Sequence, residues 1–233
     1  MVGTEQRGLT VFIPVYNEET ILETNLRKLC SFLDRIDLRH EVLVGSNGST
    51  DATVSILEDI AARRPCLRFF HLPEKGVGAA FKEGVRRAAF EYMITVDMDL
   101  SISLDFIVQA CELLKSHDMV IGSKFTGDQQ RSPIRKTVSG LFIGLARLLL
   151  GIGFHDYSIA AKAYRRDLAR RYLSRMDDLT FYVVEVVFCA HRDGMRITEV
   201  PVSCRDLRES RFNLVHEGLY KFGKLFLLWL REK

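Results

Sequence analysis

Two carboxylates, Asp97 and Asp99, stand one residue apart directly behind the apolar run at residues 92–96. Such a run predicts a buried β-strand, so the pair is expected where the strand ends and the pleat breaks. Two carboxylates this close repel each other. A hard divalent cation such as Mg²⁺ or Mn²⁺ relieves that repulsion through oxygen ligands and bridges to phosphate groups. The alternative is a turn whose aspartates cap the helix predicted to begin near residue 104.

The elements that must position this pair alternate between β-rich runs and helical patterns, which predicts βαβ units and a mostly parallel sheet flanked by helices. Predicted strands span residues 9–14, 41–45, 67–71, 92–97 and 119–122, with helices at 18–35, 51–63, 77–90 and 104–116. The alternation stops after residue 122. Beyond it the pattern predicts helices at 137–151 and 179–192, a strand at 195–203 and a terminal helix. Pro201 favours an edge position for that last strand.

The composition fits one large domain, because 233 residues with 47% hydrophobic side chains can bury one sizeable core. The 33 basic and 30 acidic residues leave a net charge of +3, too even a balance for a dedicated nucleic-acid surface. Five scattered cysteines without CxxC spacing support neither a disulfide framework nor a zinc site. The N-terminal apolar stretch has no signal-peptide pattern, so a cytosolic chain is expected.

Polar and glycine-containing segments follow four of the predicted strands, at residues 14–18, 46–51, 75–78 and 97–99. Ligands of open α/β sheets bind beyond the carboxyl ends of the strands, so these segments are expected to converge on one crevice. The spacing of Gly76, Gly78 and Gly84 does not match the dinucleotide fingerprint, which argues against NAD. These glycines therefore serve either a close backbone approach to a phosphate or sugar, or helix packing.

Ordered motifs along almost the whole chain resemble known sequences. VFIPVYNEE, EVLVGSNGSTDAT, KGVGAAFKEG and ITVDMDLS resemble family 2 glycosyltransferases, which have the GT-A fold, a Rossmann-like α/β nucleotide-diphospho-sugar transferase fold. RSPIRKTVSGLFIGLARLLLG, HDYSIAAKAYRRD and ITEVPVSCRDLRESRF are similar to the dolichyl-phosphate or polyprenyl-phosphate mannose and glucose synthases. The resemblance implies one GT-A domain over residues 1–233. Its parts would be a nucleotide-sugar-binding half at 1–122, an acceptor-side half at 123–212 and a C-terminal amphipathic helix at 213–233.

The resemblance also implies an activity and a set of site residues. The activity would be metal-dependent transfer of a hexose, with inversion, from a UDP- or GDP-sugar to a polyprenyl phosphate, using Mg²⁺ or Mn²⁺ and serving protein glycosylation. The implied nucleotide-binding residues are Pro14, Tyr16, Asn17, Glu18, Asn47 and Asp97. The metal would be held by Asp97 and Asp99. Phosphate groups of donor or acceptor would meet Lys124, Arg135, Ser139, Arg205 and Arg211, and the implied catalytic set is Asp97, Asp99, Arg135, Arg205 and Asp156.

The chain departs from the family pattern at several positions. Ser46-Asn47-Gly48-Ser49 stands where the family usually has Asp-Asp-Gly-Ser, and the replaced acid normally contacts the base. An amide offers one acceptor and one donor, a pattern that suits uracil at least as well as guanine, so the donor nucleotide stays open between UDP and GDP. Ser101 stands where glucose synthases tend to have serine, and Lys124 replaces a usual arginine. Ala160-Ala161 replaces the Gly-Phe of the DxxSGF motif.

The acceptor leaves alternatives open. A lipid phosphate is anionic near neutral pH and attacks without a strong base, whereas a hydroxyl acceptor of a soluble glycan or polysaccharide needs a carboxylate to remove its proton. Asp156 is the first candidate for that base and Glu185 the second, although Glu185 is more simply a buried acid paired with an arginine. A non-catalytic nucleotide-sugar-binding protein is the third possibility.

Two apolar segments raise the question of membrane contact. Residues 138–154 and the C-terminal stretch are at or below the length of a membrane span and carry charges, so buried or interfacial helices are predicted. In the last helix Val215, Leu219, Phe222, Phe226 and Trp229 form an apolar stripe. The stripe predicts either peripheral contact with the cytosolic membrane face or packing on the domain or on a partner protein.

Overall fold

The structure, a computed structural model, describes residues 8–124, 133–157, 159–204 and 214–233. Its strands are β1 (Leu9–Val15), β2 (His40–Asn47), β3 (Leu67–Leu72), β4 (Tyr92–Thr95), β5 (Met119–Ser123), β6 (Lys162–Arg165) and β7 (Ile197–Pro201). Its helices are α1 (Leu22–Leu33), α2 (Thr53–Arg63), α3 (Val77–Arg87), α4 (Asp105–Leu113), α5 (Pro133–Leu150), α6 (Arg166–Arg171), α7 (Tyr182–Arg192) and α8 (Leu214–Arg231), with a 3-10 turn at Leu173–Arg175. The prediction of alternating strands and helices up to β5 is confirmed.

The seven strands form one sheet in the order β3-β2-β1-β4-β6-β5-β7. All neighbouring pairs are parallel except those of β6, which runs antiparallel to β4 and to β5. The predicted mostly parallel sheet and the edge position of the strand with Pro201 are confirmed. Strand β6 and helix α6 were not predicted, because the four residues of β6 begin and end with charged side chains and show no alternation.

Both faces of the sheet are covered, which explains why its strands are almost continuously apolar. Side chains of α1, α2 and α4 pack with Val11 and Ile13 on one face. Side chains of α3, α5, α6, α7 and α8 pack with Phe12 on the other. There Phe12 stacks on Phe70, and Phe81 of α3 packs against it edge-on.

One set of contacts joins helix α8 to Asp177, in the loop before α7. The Asp177 carboxylate accepts a hydrogen bond from the Tyr220 hydroxyl and lies 2.9 Å from the Lys224 ammonium. The same loop packs against the start of α3, where Ala79 N–H donates to the Asp178 carbonyl over 2.9 Å. The 176–181 loop is therefore held between α8 and the first turn of α3.

Glycines in α3 allow this close packing. A Cβ atom on Gly78 would lie 2.2 Å from the Asp177 carbonyl oxygen, and one on Gly84 would lie 2.6 Å from the Phe12 ring. Both distances are far below van der Waals contact, so these two positions admit no side chain without movement of their neighbours. Of the two roles considered for the α3 glycines, helix packing accounts for Gly78 and Gly84.

The Gly78→Ala substitution is expected to destabilise the fold by about 1–3 kcal/mol, because overpacking outweighs the gain in helix propensity. Gly144→Ala in α5 is the matched control. Its Cβ would meet no described atom within 4 Å, so it should stabilise by about 0.5–1 kcal/mol. Urea unfolding of both variants measures the difference, and equal stabilities would contradict the packing role of Gly78.

Candidate active site

The predicted site segments meet at one edge of the sheet. Strand β1 lies between β2 and β4 and is parallel to both, with Val15 opposite Ser46 and Phe12 opposite Thr95. The segments that follow these three strands therefore leave the sheet on the same side. This is the edge at which parallel α/β sheets bind ligands.

The loops after β1 and β2 are hydrogen-bonded to each other. Asn17 N–H donates to the Ser49 hydroxyl over 3.1 Å, and Asn17 Oδ1 accepts from Thr50 N–H over 2.8 Å. Glu18 N–H donates to the Thr53 hydroxyl over 2.9 Å. Asn17 has a positive φ of 54°, a conformation that non-glycine residues rarely adopt and that often marks functional turns. The structure brings Asn17 and Glu18 to the crevice, where they fix the loop.

An aromatic side chain and a lysine stand beside these loops. The Lys75 ammonium lies 3.9 Å from the centroid of the Tyr16 ring, in a cation–π contact. Pro14 is partly buried and lies opposite Gly45 in the sheet. Pro14 and Tyr16 thus take the positions at the sheet edge that the resemblance implies, and nucleotide contact by either residue stays a prediction.

Asn47 is buried and holds three elements together. Its Nδ2 donates to the Val15 carbonyl over 2.8 Å, and its Oδ1 accepts from Gly76 N–H over 3.2 Å. An aspartate at this position would lack the donor that the Val15 carbonyl needs, which explains the amide. The structure thus places the Asn47 amide between two backbone groups, and its contact with a base stays a prediction.

A second polar contact behind the crevice was not predicted. The Ser46 hydroxyl, fully buried, lies 3.0 Å from the Ser49 hydroxyl and 3.0 Å from Nδ1 of His71 on β3. No spacing in the sequence links His71 with Ser46, because the two are brought together only by the register of β2 and β3.

The turn at Asp97 and Asp99 is tight. Leu100 has a positive φ of 50°, and its N–H donates to the Asp97 carbonyl over 3.1 Å. Asp99 Oδ1 accepts from Ser101 N–H over 3.0 Å, so this carboxylate is oriented by backbone. A leucine in the left-handed region is an outlier, and outliers of this kind cluster at functional sites.

The surroundings of Asp97 change the pKa of its carboxyl group. Burial and the like charge of Asp99 raise the pKa of Asp97 to about 6, while the cations of Lys124 and Lys162 oppose the rise. A divalent cation would relieve the same repulsion, and two carboxylates form a hard oxygen donor set that suits Mg²⁺ or Mn²⁺. Among the described residues no third His, Cys, Asp or Glu joins the pair in a possible metal cluster, so remaining ligands would come from phosphate or water.

Asp156 and Lys124, both predicted at the site, lie beneath its surface. Asp156 is 0% exposed, and its Oδ1 accepts from Ile159 N–H over 3.2 Å. Its Oδ2 accepts from Lys124 N–H over 3.3 Å and lies 3.8 Å from the Lys124 ammonium. A general base must reach the proton that it removes, and a fully buried carboxylate does not reach an acceptor in this arrangement. The structure thus favours a supporting position for both residues.

Glu185, the second candidate base, is buried and hydrogen-bonded to the backbone. Its carboxylate accepts from Asp177 N–H over 2.5 Å, and burial raises its pKa. The hydrogen-bond partner is thus a backbone amide of the loop before α7, and the charge of Arg231 acts on the carboxylate as well. Of the remaining phosphate-binding candidates, Arg205, Arg211 and the side chain of Arg135 lie outside the described residues, and Ser139 is a half-buried residue of α5.

The comparisons with known proteins agree on the family. The model of glycosyl transferase family 2 matches residues 10–173. Glycosyltransferase AglD of Haloferax volcanii is 26% identical over 95% of this chain, which spans only 37% of that relative. Undecaprenyl-phosphate mannosyltransferase of Micrococcus luteus is 30% identical over 89% of this chain and 88% of its own length. Polyprenol monophosphomannose synthase of Mycolicibacterium smegmatis is 27% identical over 96% of this chain and 88% of its own length.

Solved structures share the fold at lower identity. Glucosyl-3-phosphoglycerate synthase of Mycobacterium tuberculosis, solved with Mn²⁺, UDP and glucosyl-3-phosphoglycerate, is 18% identical with a TM-score of 0.71. The match covers 96% of this chain and 80% of the other. The GT-A fold that the resemblance implied is confirmed. On the family match over most of its length, the chain belongs to glycosyl transferase family 2.

Proposed function

We propose that this chain transfers a hexose, with inversion, from a nucleoside-diphosphate sugar to a polyprenyl phosphate. The observation that carries the proposal is the Asp97–Asp99 turn, set by the left-handed Leu100 at the ligand-binding edge of a GT-A sheet. The acceptor is inferred from the names of two relatives, an undecaprenyl-phosphate mannosyltransferase and a polyprenol monophosphomannose synthase.

Sugar transfer requires stabilisation of the negative charge that grows on the leaving diphosphate. Asp99, partly exposed and oriented by Ser101 N–H, would hold a divalent cation together with Asp97. Bound there, the cation would supply Lewis-acid stabilisation of the leaving group. The protein itself contributes the fixed crevice, in which the hydrogen-bonded β1 and β2 loops flank the turn.

A phosphate acceptor suits the described residues better than a hydroxyl. A phosphate ester with a second pKa of about 6 is anionic at neutral pH and needs no general base. The two carboxylates considered as bases are both engaged in the interior, Asp156 with Lys124 and Glu185 with Asp177 N–H. This supports the lipid phosphate over the hydroxyl acceptor.

The surface of α5 and α8 supports peripheral contact with the membrane that holds such an acceptor. The two helices pack through Phe142 and Phe222, whose ring centroids are 5.5 Å apart. Both helices carry exposed large apolar side chains, among them Leu141 and Leu148 on α5, and Leu219, Phe226 and Leu230 at helical spacing on α8. We call these five residues the apolar face. None of the described helices is both long enough and apolar enough to cross a bilayer.

The stripe predicted for α8 divides between two surfaces. Leu219 and Phe226 belong to the apolar face, whereas Phe222 contacts α5 and Trp229 packs against the domain core. Leu225 and Leu228, outside the predicted stripe, are the buried residues among the described side chains of the helix. The side chain of Val215 lies outside the described residues. Packing on the domain and an exposed apolar surface therefore both occur, on different sides of α8.

The decisive test of this function is transfer of radiolabelled sugar from a nucleotide sugar to polyprenyl phosphate in detergent with Mn²⁺. Label that enters the organic phase supports the lipid acceptor. Release of nucleoside diphosphate with label only in soluble glycan would favour the hydroxyl acceptor. Failure of every nucleotide sugar to release nucleoside diphosphate would leave a non-catalytic binding protein.

Uridine donors are expected to stabilise the protein more than guanosine donors. Guanine offers two adjacent donors that a carboxylate accepts, and this chain has Ser46 and Asn47 where the family usually has two acids. A thermal-shift screen of UDP- and GDP-sugars with Mn²⁺ compares them, because a bound ligand stabilises the folded state by mass action. A larger shift with GDP-sugars would contradict the prediction.

A further inference from the structure

A lysine is buried directly beneath the candidate site. Lys162 lies on β6 opposite Thr95 of β4, and 1% of its surface is exposed. Residues opposite each other in antiparallel strands point to the same face of the sheet, and so do residues two apart along a strand. Lys162 therefore lies on the α3 and α7 side, one layer below Asp97, which follows Thr95 by two positions.

The contacts of Lys162 hold a turn. Its ammonium donates to the Ile159 carbonyl over 2.8 Å, and Ile159 N–H donates to Asp156 Oδ1 over 3.2 Å. The Thr95 hydroxyl donates to the carbonyls of Ala160 and Lys162. The Ile159–Ala160 turn is thus fixed from both sides, and its Ala160 amide lies against the Asp97 carboxylate.

The Lys162 ammonium is buried and interacts with the charges of three carboxylates, those of Asp156, Glu199 and Asp97. Burial lowers the pKa of Lys162 to about 8, and the charge of Asp156 is the largest influence that opposes the change. Asp97 and Glu199 oppose it as well, while Lys124 adds to it. A buried charge is costly even when paired, and an apolar side chain of similar volume is often neutral or stabilising in its place. Fold stability alone therefore does not explain a lysine here.

We propose that Lys162 is a positioning residue for the reaction. Its ammonium holds the Ile159–Ala160 turn, and the turn orients Asp97 toward the cation and the diphosphate. The role rests on the proposed function, because it concerns the cation that Asp97 and Asp99 would share. Lys162 itself does not touch the substrate.

The test compares the Mn²⁺ affinity of wild type, Lys162→Met and Lys162→Gln, measured by electron paramagnetic resonance of free Mn²⁺ in the presence of UDP or GDP. We expect at least a tenfold loss in Lys162→Met, with a melting temperature equal to or above that of wild type. Lys162→Gln keeps a donor for the Ile159 carbonyl and should lose less. In turnover, a high Mn²⁺ concentration should restore the rate of Lys162→Met.

Lys82→Met is the matched control. Lys82 of α3 also pairs with a carboxylate, that of Asp178, and donates to the Met176 carbonyl over 3.3 Å, so both partners belong to the 176–181 loop and not to the Ile159–Ala160 turn. It should leave Mn²⁺ affinity unchanged. Unchanged affinity in a folded Lys162→Met, or failure of both Lys162 variants to fold, would overturn the positioning role. A wild type that binds no Mn²⁺ with either nucleotide would overturn the proposed function together with it.

Discussion

Replacement of Asp99 by alanine is expected to abolish the stabilisation that a nucleotide sugar gives the wild-type protein in the presence of Mn²⁺. A ligand at about 100 times its dissociation constant contributes about 2.7 kcal/mol, or roughly 5 to 10 °C in melting temperature for a chain of this size. Without Asp99 a single carboxylate, that of Asp97, would remain to hold the cation. Turnover should fall at least about 100-fold, since the growing charge on the leaving group would lose its stabilisation.

Asp105→Ala is the control for this experiment. Asp105 is an exposed aspartate six residues further on, in the first turn of α4, and it interacts with the Ser103 hydroxyl over 2.8 Å. Its loss removes an acidic side chain from the first turn of α4, which should cost about 0.3–1 kcal/mol of stability, and should leave the donor-induced shift intact. Addition of EDTA to wild type should reproduce the Asp99→Ala result. An undiminished shift in Asp99→Ala, or in EDTA, would remove the metal from the proposed mechanism.

The second large effect is expected at the membrane. A double substitution, Leu148→Glu with Phe226→Glu, should abolish co-sedimentation of the protein with phospholipid vesicles. Both side chains are exposed on the apolar face, Leu148 to 77% and Phe226 to 51%, so neither substitution disturbs the core. Each removes apolar area of the size that binds interfacial helices to lipid and places a charge there.

Val108→Glu controls for the added charge, because Val108 is an exposed apolar residue of α4 on the opposite side of the sheet. That variant should sediment with vesicles as wild type does. Transfer to a short-chain, water-soluble polyprenyl phosphate should be unaffected in the double variant, which separates membrane contact from chemistry. Vesicle binding that survives the double substitution would show that the apolar face is not the contact.

The sequence was sufficient for the framework of the fold. The first five strands are apolar runs because the sheet is covered on both faces, and such runs can be recognised from the sequence alone. Strand β6 was missed because its pairing is long-range, with Lys162 opposite Thr95, and its four residues carry no periodic pattern. Parallel strands with helical crossovers are thus easier to predict than one short antiparallel insertion.

The position of the candidate site could be predicted from the sequence, whereas the burial and the contacts of its side chains could not. The strand-end rule brought Asn17 and Asp97 to one crevice, as the structure places them. Residue type could not tell that Asp156 would be fully buried or that the Asn47 amide would join two backbone groups. These outcomes depend on the packing around Asp156 and of α3, which no local pattern encodes. The left-handed conformation of Leu100 likewise could not be predicted from the residue type.

The bonds from Asp177 to Tyr220 and Lys224 have a consequence for how an insoluble acceptor would be reached. They join the helix that carries three of the five residues of the apolar face to the loop that packs against the start of α3, without an intervening linker. If that helix lies on the lipid surface, the distance from the lipid headgroups to the crevice is fixed by the side chains that pack between α8 and α3. The phosphate of the acceptor would then have to lie at a fixed distance from the membrane surface. The enzyme would therefore select lipids by how far their phosphate extends from the membrane as well as by their chemistry.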